Sequence, residues 1–309
     1  MDMKSIVLLA AAQTAKGTPA TPVPGTNAIL CKGFVPSPIK GSFVQRNLIT
    51  GYEGNQGGIF TGEHRVFEFE VELAGSGTAG TAPKYGLLLE GACMAATVTP
   101  GTSVVYQPVK GVNKYMTLHG YLEGVRFVLT DAVGTVTFSL NASQIPVMKY
   151  TFIGKYSAPT DAGAPTGMVY TGFTEPLVVG DTNTDVFTLG GLNLVVDTFG
   201  FDLGNKVAWK DFINDSGVRK NNRESTANAV FEMTDVATKN WAETVRLGTE
   251  MALAITHGLT AGNIVQLACP KLEFNAEPSI SDADGTAMLN ASFAVKPNTG
   301  YDEVVLTVR

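Results

Sequence analysis

The stretch His64-Arg-Val-Phe-Glu-Phe-Glu-Val-Glu-Leu73 decides the fold class of this chain. Within it, large apolar residues alternate with Glu68, Glu70 and Glu72. A period of two residues is the pattern of a β-strand that buries one face and wets the other. Strands with one wet face are typical of antiparallel sheets. The stretch therefore predicts a half-buried antiparallel strand with a charged outer face.

The residues that follow, Gly75-Ser-Gly77-Thr-Ala-Gly80, spell the G-x-G-x-x-G of a dinucleotide-binding turn. Their context excludes that function. A Rossmann first strand is apolar on both faces, and its ribose-binding acid follows about 20 residues later. Here glutamates fill every second position of the strand, Pro83 delays any helix, and no acid lies between Glu90 and Glu123. We interpret the glycines as a flexible connection at a subunit boundary that contacts a neighbour.

The composition also argues against an enzyme and against a nucleic-acid-gripping protein. The 309 residues are 44% apolar and 16% charged, and the net charge of −6 offers no basic face for phosphates. The three cysteines and three histidines have no metal-ligand spacing, and no G-x-S-x-G occurs. We predict no catalytic residue, no cofactor-binding residue, no metal ligand and no cofactor.

Strand patterns dominate the rest of the chain, so the sequence predicts a mainly β fold. Helices are predicted at 81–93 and 235–253, where Asp235 is a candidate cap. Ser5–Ala12 imitates a short signal peptide but is at the lower length limit, and no apolar run reaches the length of a membrane span. Further strands are predicted at 103–109, 121–130, 135–140, 149–153, 192–203, 229–233, 264–274, 287–295 and 303–308.

Several short motifs recur in the same order in the two halves of the chain, which predicts an internal duplication. The seam is expected at 157–167, which is rich in Pro, Gly and Ala. The duplication gives two tandem domains, 1–160 and 161–309. The matched motifs are Phe43 with Phe212, Val66–Glu68 with Val230–Glu232, "KYGLLLEG" with "NWAETVRLG", Asp131–Thr135 with Asp282–Thr286, and Leu140–Ser143 with Leu289–Ser292.

Three segments together resemble the major tail tube proteins of long-tailed, non-contractile bacteriophages. The opening "IVLLAAAQTAKGTPATPVPGTNAILCKG" is similar to the start of that family. The segment "RNLITGYEGNQGGIFTGEHRVFEFEVELAGSGTAGTAPKYGLLLEGACM" resembles its arm, long strand, loop and helix. The end, "KLEFNAEPSISDADGTAMLNASFAVKPNTGYDEVVLTV", resembles its closing hairpin.

The resemblance implies two tandem β-sandwich or barrel-like tube domains, each with one short flanking helix. It implies a virion tail protein, assembled in the bacterial host cytoplasm, whose rings stack into a tube that conducts DNA. Implied partners are copies of the chain, the tape measure protein and viral DNA in the lumen, and the tail terminator and distal tail proteins; no membrane insertion is implied. Because single-domain members form hexameric rings, a double-length chain predicts a trimer, with a plain hexamer as the alternative.

The same resemblance suggests which residues make contacts. The long polar segment 46–63 and the shorter 214–225 are the candidate arms between rings. Glu68, Glu70 and Glu72 are candidate lumen-facing residues that repel phosphates, and an outward solvated face is the alternative. The candidate arm residues are Arg46, Asn47, Tyr52, Asn55, Phe60, Asn214, Arg219 and Arg223.

A second class of function stays open at this point. A β-sandwich adhesin, a decoration protein or a receptor-binding module of a phage or bacterial surface would share the mainly β pattern. Such modules usually carry exposed aromatic clusters or metal-binding acids, and neither is visible in the sequence.

Overall fold

The computed structural model describes residues 5–309, of which about half lie in strands and few in helices, so the predicted mainly β class is confirmed. Two helical segments, α1 (Pro24–Asn27) and α2 (Gly86–Gly91), occur in the first 160 residues. The strands there are β1 (Ile6–Ala12), β2 (Ala28–Ile29), β3 (Lys40–Gln45), β4 (Gly58–Glu72), β5 (Met94–Thr99), β6 (Ser103–Pro108), β7 (Met116–Leu122), β8 (Val125–Asn141), β9 (Val147–Tyr156) and β10 (Thr160–Asp161).

The rest of the chain contains the helix α3 (Trp241–Leu247) and eleven strands. These strands are β11 (Val186–Leu189), β12 (Leu192–Asn193), β13 (Val196–Asp202), β14 (Asn205–Phe212), β15 (Asp215–Arg223), β16 (Thr226–Glu232), β17 (Met251–His257), β18 (Val265–Phe274), β19 (Ser279–Ala283), β20 (Thr286–Lys296) and β21 (Val305–Val308).

The central sheet runs through both halves of the chain in the order β4-β9-β8-β13-β16-β20-β19, with every neighbouring pair antiparallel. The opposing layer has the order β5-β6-β21-β18-β17-β11, and it joins the central sheet where β18 pairs with β20. A third group, β2-β1-β7, pairs with the first part of β8. The two halves therefore exchange backbone hydrogen bonds at β8–β13 and at β6–β21.

One hydrophobic core lies between these layers and draws on both halves. The rings of Phe69 and Phe152 stack with centroids 6.0 Å apart, and Phe138 packs on Phe201 of the second half at 5.9 Å. Aromatic pairs at these separations are stabilising beyond the area they bury. Because both halves contribute to one core, they pack as a single unit. The division into the domains 1–160 and 161–309 stays a prediction that rests on the internal repeat.

Both predicted helices are shorter in the structure than the sequence pattern suggested. Asn240, and not Asp235, caps α3, since its side chain accepts a hydrogen bond from the Glu243 amide at 3.0 Å. Gly248 then ends the helix in the left-handed conformation (φ 60°). The strand β17 begins three residues later, so the predicted 235–253 helix was too long at both ends.

Two segments form strands that the sequence pattern did not predict. Most of Ser5–Ala12, which imitates a signal peptide, is the buried strand β1, and it pairs with β7 along its whole length. The polar segment around 41–63 is mainly a hairpin and not a plain loop. Its strands lack alternating burial because the outer part of the hairpin stands away from the core, with both faces exposed.

The glycines of the G-x-G-x-x-G have a packing role within the chain. A side chain at Gly75 would collide with the backbone at Gly262, and one at Gly80 would collide with the backbone at Gly101. The loop is held by hydrogen bonds from the Gly75 amide to Asn263 at 2.7 Å and from the Gly77 amide to Gly262 at 2.9 Å. The surface that this loop contacts is therefore the second half of the same chain, where the sequence suggested another subunit.

Three of the five repeat matches fall on corresponding elements, and two do not. The first three pair β3 with β14, β4 with β16, and α2 with α3. Asp131, however, lies at an irregularity inside β8, whereas Asp284 and Gly285 form the turn between β19 and β20. Leu140 and Leu289 also differ, because Leu140 lies next to the last residue of β8, whereas Leu289 lies inside β20. The duplication stays a prediction, and it rests on the order of strands and helices in the two halves.

Candidate functional site

The first hairpin consists of β3, the loop 46–57 and the start of β4. Its strands pair from Lys40 with His64 to Gln45 with Gly58, and Phe43 packs edge-to-face on Phe60 at 5.1 Å. Predicted arm residue Phe60 therefore lies in a strand. The other four predicted residues of this arm, Arg46, Asn47, Tyr52 and Asn55, lie in the exposed loop.

The loop of the first hairpin carries exposed apolar side chains at its tip. Ile49 is fully exposed, Tyr52 is 88% exposed, and Leu48 is 50% exposed. The loop has internal order, because the Gln56 side chain accepts a hydrogen bond from the Leu48 amide at 2.6 Å and donates one to the Leu48 carbonyl. An ordered loop that presents clustered apolar side chains to water is typical of a protein contact surface.

The second hairpin consists of β14, a two-residue turn and β15. Asn214 occupies the turn with a positive φ of 70°, next to Ile213, which is 94% exposed. Arg219 forms an ion pair with Asp215 and lies over the ring of Phe212 at 5.8 Å. Two of the predicted arm residues, Asn214 and Arg219, thus lie on an exposed, apolar-tipped hairpin.

Arg223 is placed differently from the other predicted arm residues. Its guanidinium pairs with the Glu303 carboxylate, and the two side chains are 9% and 7% exposed. It also donates to the Val109 carbonyl at 3.2 Å. Nearby, Lys220 donates to the same carbonyl, and burial lowers its pKa. Arg223 therefore anchors the base of the second hairpin to the C-terminal segment, and its charge is not offered at the surface.

The base of the first hairpin lies against the middle of the second. The His64 ring of the first hairpin stacks on Trp209 of the second, with centroids 5.9 Å apart. Next to His64, the fully buried Arg65 donates to the carbonyls of Pro38 and Val128, and burial lowers its pKa. Both hairpins therefore start from one fixed region of the fold and present their tips to solvent.

The outer face of the central sheet is polar, and two of its rows carry no charge, whereas Asp202 and Glu232 lie on other rows of the same face. One row across four strands consists of Ser139, Gly200, Asn228 and Ser292. A Cβ at Gly200 would contact the end of the Asn228 side chain, which would have to turn aside. The next row consists of Asn141, Thr198, Val230 and Asn290.

The predicted lumen-facing glutamates lie on this same polar face, at its β4 end. Glu68 is exposed, whereas Glu70 and Glu72 are partly covered. Lys149 lies directly opposite Glu70 on β9, and its ammonium is 3.9 Å from the Glu68 carboxylate. The glutamates therefore lie beside a cation at this edge of the face. The uncharged rows next to them are not predictable from the sequence, because strand register cannot be read from it.

A comparison with protein-family models identifies the family. The model described as phage tail tube protein matches residues 4–296, which is nearly the whole chain. The chain belongs to the phage tail tube protein family. It is therefore a structural protein of the phage tail, located in the virion, and the mainly β fold agrees with that family. A search of curated proteins found no match.

The described part of this tail tube protein offers neither a membrane-spanning helix nor a metal-binding cluster. Within residues 5–309, no helix combines the length and apolar character that crossing a membrane requires. In the same residues, no group of three His, Cys, Asp or Glu side chains could hold a metal ion. The surfaces that stand out are the two hairpins and the polar sheet face.

Proposed function

We propose that the chain forms closed rings that stack, through the two hairpins, into the tail tube that conducts DNA into the host. The observation that carries this proposal is the pairing of two exposed, apolar-tipped hairpins with a polar sheet face that contains two uncharged rows, on one packed unit. Hairpin tips such as Ile49 and Ile213 lose water only against a second molecule. Repeated heterologous contacts between copies generate rings and stacks.

The duplicated order of elements supports a ring of three chains in a long, non-contractile tail. Each half contributes a hairpin, a strand of the central sheet, a helix and a second hairpin in the same order, with sheet order β4-β9-β8 in one half and β16-β20-β19 in the other. Three such chains supply six similar units around the ring. We further propose that assembly occurs in the host cytoplasm, with the tape measure protein and then DNA in the lumen, and the terminator and distal proteins at the tube ends.

The polar sheet face is our candidate for the channel lining. Hydroxyl and amide side chains such as Ser139, Asn228 and Ser292 offer DNA neither cations nor a large apolar surface. Affinity for DNA comes mainly from phosphate contacts with Lys and Arg, so a lining without free cations lets the duplex slide. Glu68, at the β4 end of the face, adds repulsion that Lys149 only partly offsets.

Introducing cations on this face tests the lining. In the double variant Ser139→Lys with Ser292→Lys, we expect tubes to assemble and to retain a short linear DNA duplex at low salt. The duplex enters the lumen, where its phosphates contact the added lysines. Retention should fall steeply with salt, because a tenfold rise in salt concentration lowers the binding constant about tenfold for each phosphate contact. The matched control is Ser139→Gln with Ser292→Gln, which adds length without charge. Gel shift and filter binding measure retention.

A closed circular duplex distinguishes the inside of the tube from the outside. It cannot thread a tube, so the lysine variant should retain it no better than the glutamine control does. If tubes of the lysine variant also capture the closed circle along their length, the polar face lies on the outer wall and the proposed lining is wrong.

A further inference from the structure

The strand β19 is an open edge of the central sheet. It pairs with β20 on one side, and no pairing on its other side occurs among residues 5–309. All five of its residues are exposed, and Ile280 is 64% exposed. An exposed strand edge offers unpaired amide and carbonyl groups that readily pair with another chain. The hairpin β19–β20 is therefore a docking edge that this fold leaves unfilled.

The chain contains a template for how such an edge is filled. At the junction of the two halves, β8 lies beside β9 in the same way that β19 lies beside β20 in the second half. The strands β8 and β19 therefore occupy corresponding positions. The outer part of β8, Thr137–Asn141, pairs antiparallel with β13. The strand β13 in turn lies along β16 on the side away from β20. Within the central sheet, the edge strand of one half thus pairs with the edge strand of the other.

In the position that corresponds to β13, the first half has the segment 30–36, and among residues 5–309 no strand pairs with it on the side away from β4. Phe173 and Thr174 lie beside its start. Around Lys32 the chain runs along β4 on the side away from β9, with two backbone hydrogen bonds between Lys32 and Glu70. Leu30 and Val35, next to it, are 48% and 55% exposed. The segment 30–36 therefore stands at one end of the central sheet, and β19 stands at the other.

The two edges also match in polarity. The β19 edge presents Ile280 and carries Asp282 with Asp284 in the adjoining turn, whereas the opposite edge presents Leu30 and carries Lys32. Apolar side chains at both edges gain by leaving water, and opposite charges fix which edges meet.

From these observations we propose that the ring closes by antiparallel pairing of β19 of one copy with the segment 30–36 of the next copy, repeating the β8–β13 junction found within the chain. The proposal deepens the proposed tube function and rests on it, because it names the seam between copies. With this seam, the polar sheet face continues without a break around the ring.

Cysteine cross-linking across the seam tests the proposal directly. In a Cys31→Ser background, Val35→Cys and Ser281→Cys are combined in one chain, and assembled full-length protein is treated with a short bismaleimide. We expect a ladder of covalent oligomers on denaturing gels that ends at a closed ring, at three chains for a trimer. The controls carry only one of the two introduced cysteines, in the same background with buried Cys93 and Cys269, since neither can link the two proposed edges.

The possible outcomes distinguish a failure of the proposed seam from a failure of the proposed tube function. If wild-type protein forms tubes and the double variant assembles but shows no link beyond the single-cysteine controls, the proposed seam is wrong and the function stands. If wild-type protein forms no rings or tubes at all, the proposed function itself fails.

A second variant tests the seam without labelling. Ile280→Lys places a cation on the exposed β19 edge and should reduce ring formation at least tenfold while the circular dichroism spectrum stays that of the wild type. Val98→Lys is the matched control, because Val98 is 50% exposed and lies in β5, which pairs with β6 in the opposing layer and belongs to neither proposed edge. Normal rings from Ile280→Lys would overturn the proposal.

Discussion

Replacement of the loop 46–57 by Asn-Gly is expected to give a folded protein that forms rings but no tubes. Gln45 and Gly58 face each other in the β3–β4 ladder, so a two-residue turn can close the shortened hairpin without shifting its register. The change removes the exposed tip that includes Ile49 and Tyr52, while the buried base at Arg65 is untouched. Size-exclusion chromatography and electron microscopy measure the loss of stacking.

The control for this deletion is Leu259→Ser, which removes an exposed apolar side chain from the loop between β17 and β18, outside both hairpins. It should stack as the wild type does. A double change, Ile49→Ser with Tyr52→Ser, should give shorter tubes if the apolar tip drives stacking. Full-length tubes from the loop replacement would show that the first hairpin is not the arm between rings.

Loss of the buried carboxylate at Glu303 is expected to be the most destabilising single substitution among those considered. Glu303→Ala leaves the Arg223 guanidinium buried without its partner, and breaking a buried ion pair costs about 3–5 kcal/mol of unfolding free energy. The second hairpin should then lose its anchor to the C-terminal segment. Urea denaturation measures the change in unfolding free energy.

Two comparisons make the Glu303 result specific. Glu224→Ala removes the partner of Lys206 in an exposed pair of 3.2 Å and should cost less than about 1 kcal/mol. Arg223→Met combined with Glu303→Leu should recover most of the loss, because no charge is left buried. A Glu303→Ala protein as stable as Glu224→Ala would contradict the anchoring role.

Local patterns were sufficient to predict much of the fold. The alternation around Phe67 and Phe69 predicted a half-buried strand, and those rings are in the core. The mainly β class and the tail tube family followed from such patterns and from three quoted segments. These predictions succeeded because alternation reflects burial of one face, which is a local property of the chain.

Features that depend on contacts distant in sequence were not predictable in this way. The hairpin at 40–64 shows no alternation because much of it is exposed on both faces. Arg223 was assigned to an exposed arm, but a carboxylate 80 residues further along the chain holds it in the interior. The uncharged rows of the sheet face depend on the register of β8, β13, β16 and β20, which only the folded chain defines.

Negative-stain electron microscopy of the purified full-length protein, with averaging of end-on views, tests the central claim most directly. We expect rings of uniform diameter with a central hole, stacked into tubes, and threefold or pseudo-sixfold symmetry in the averages. A protein that stays monomeric at high concentration, or that assembles into particles without a central hole, would contradict it.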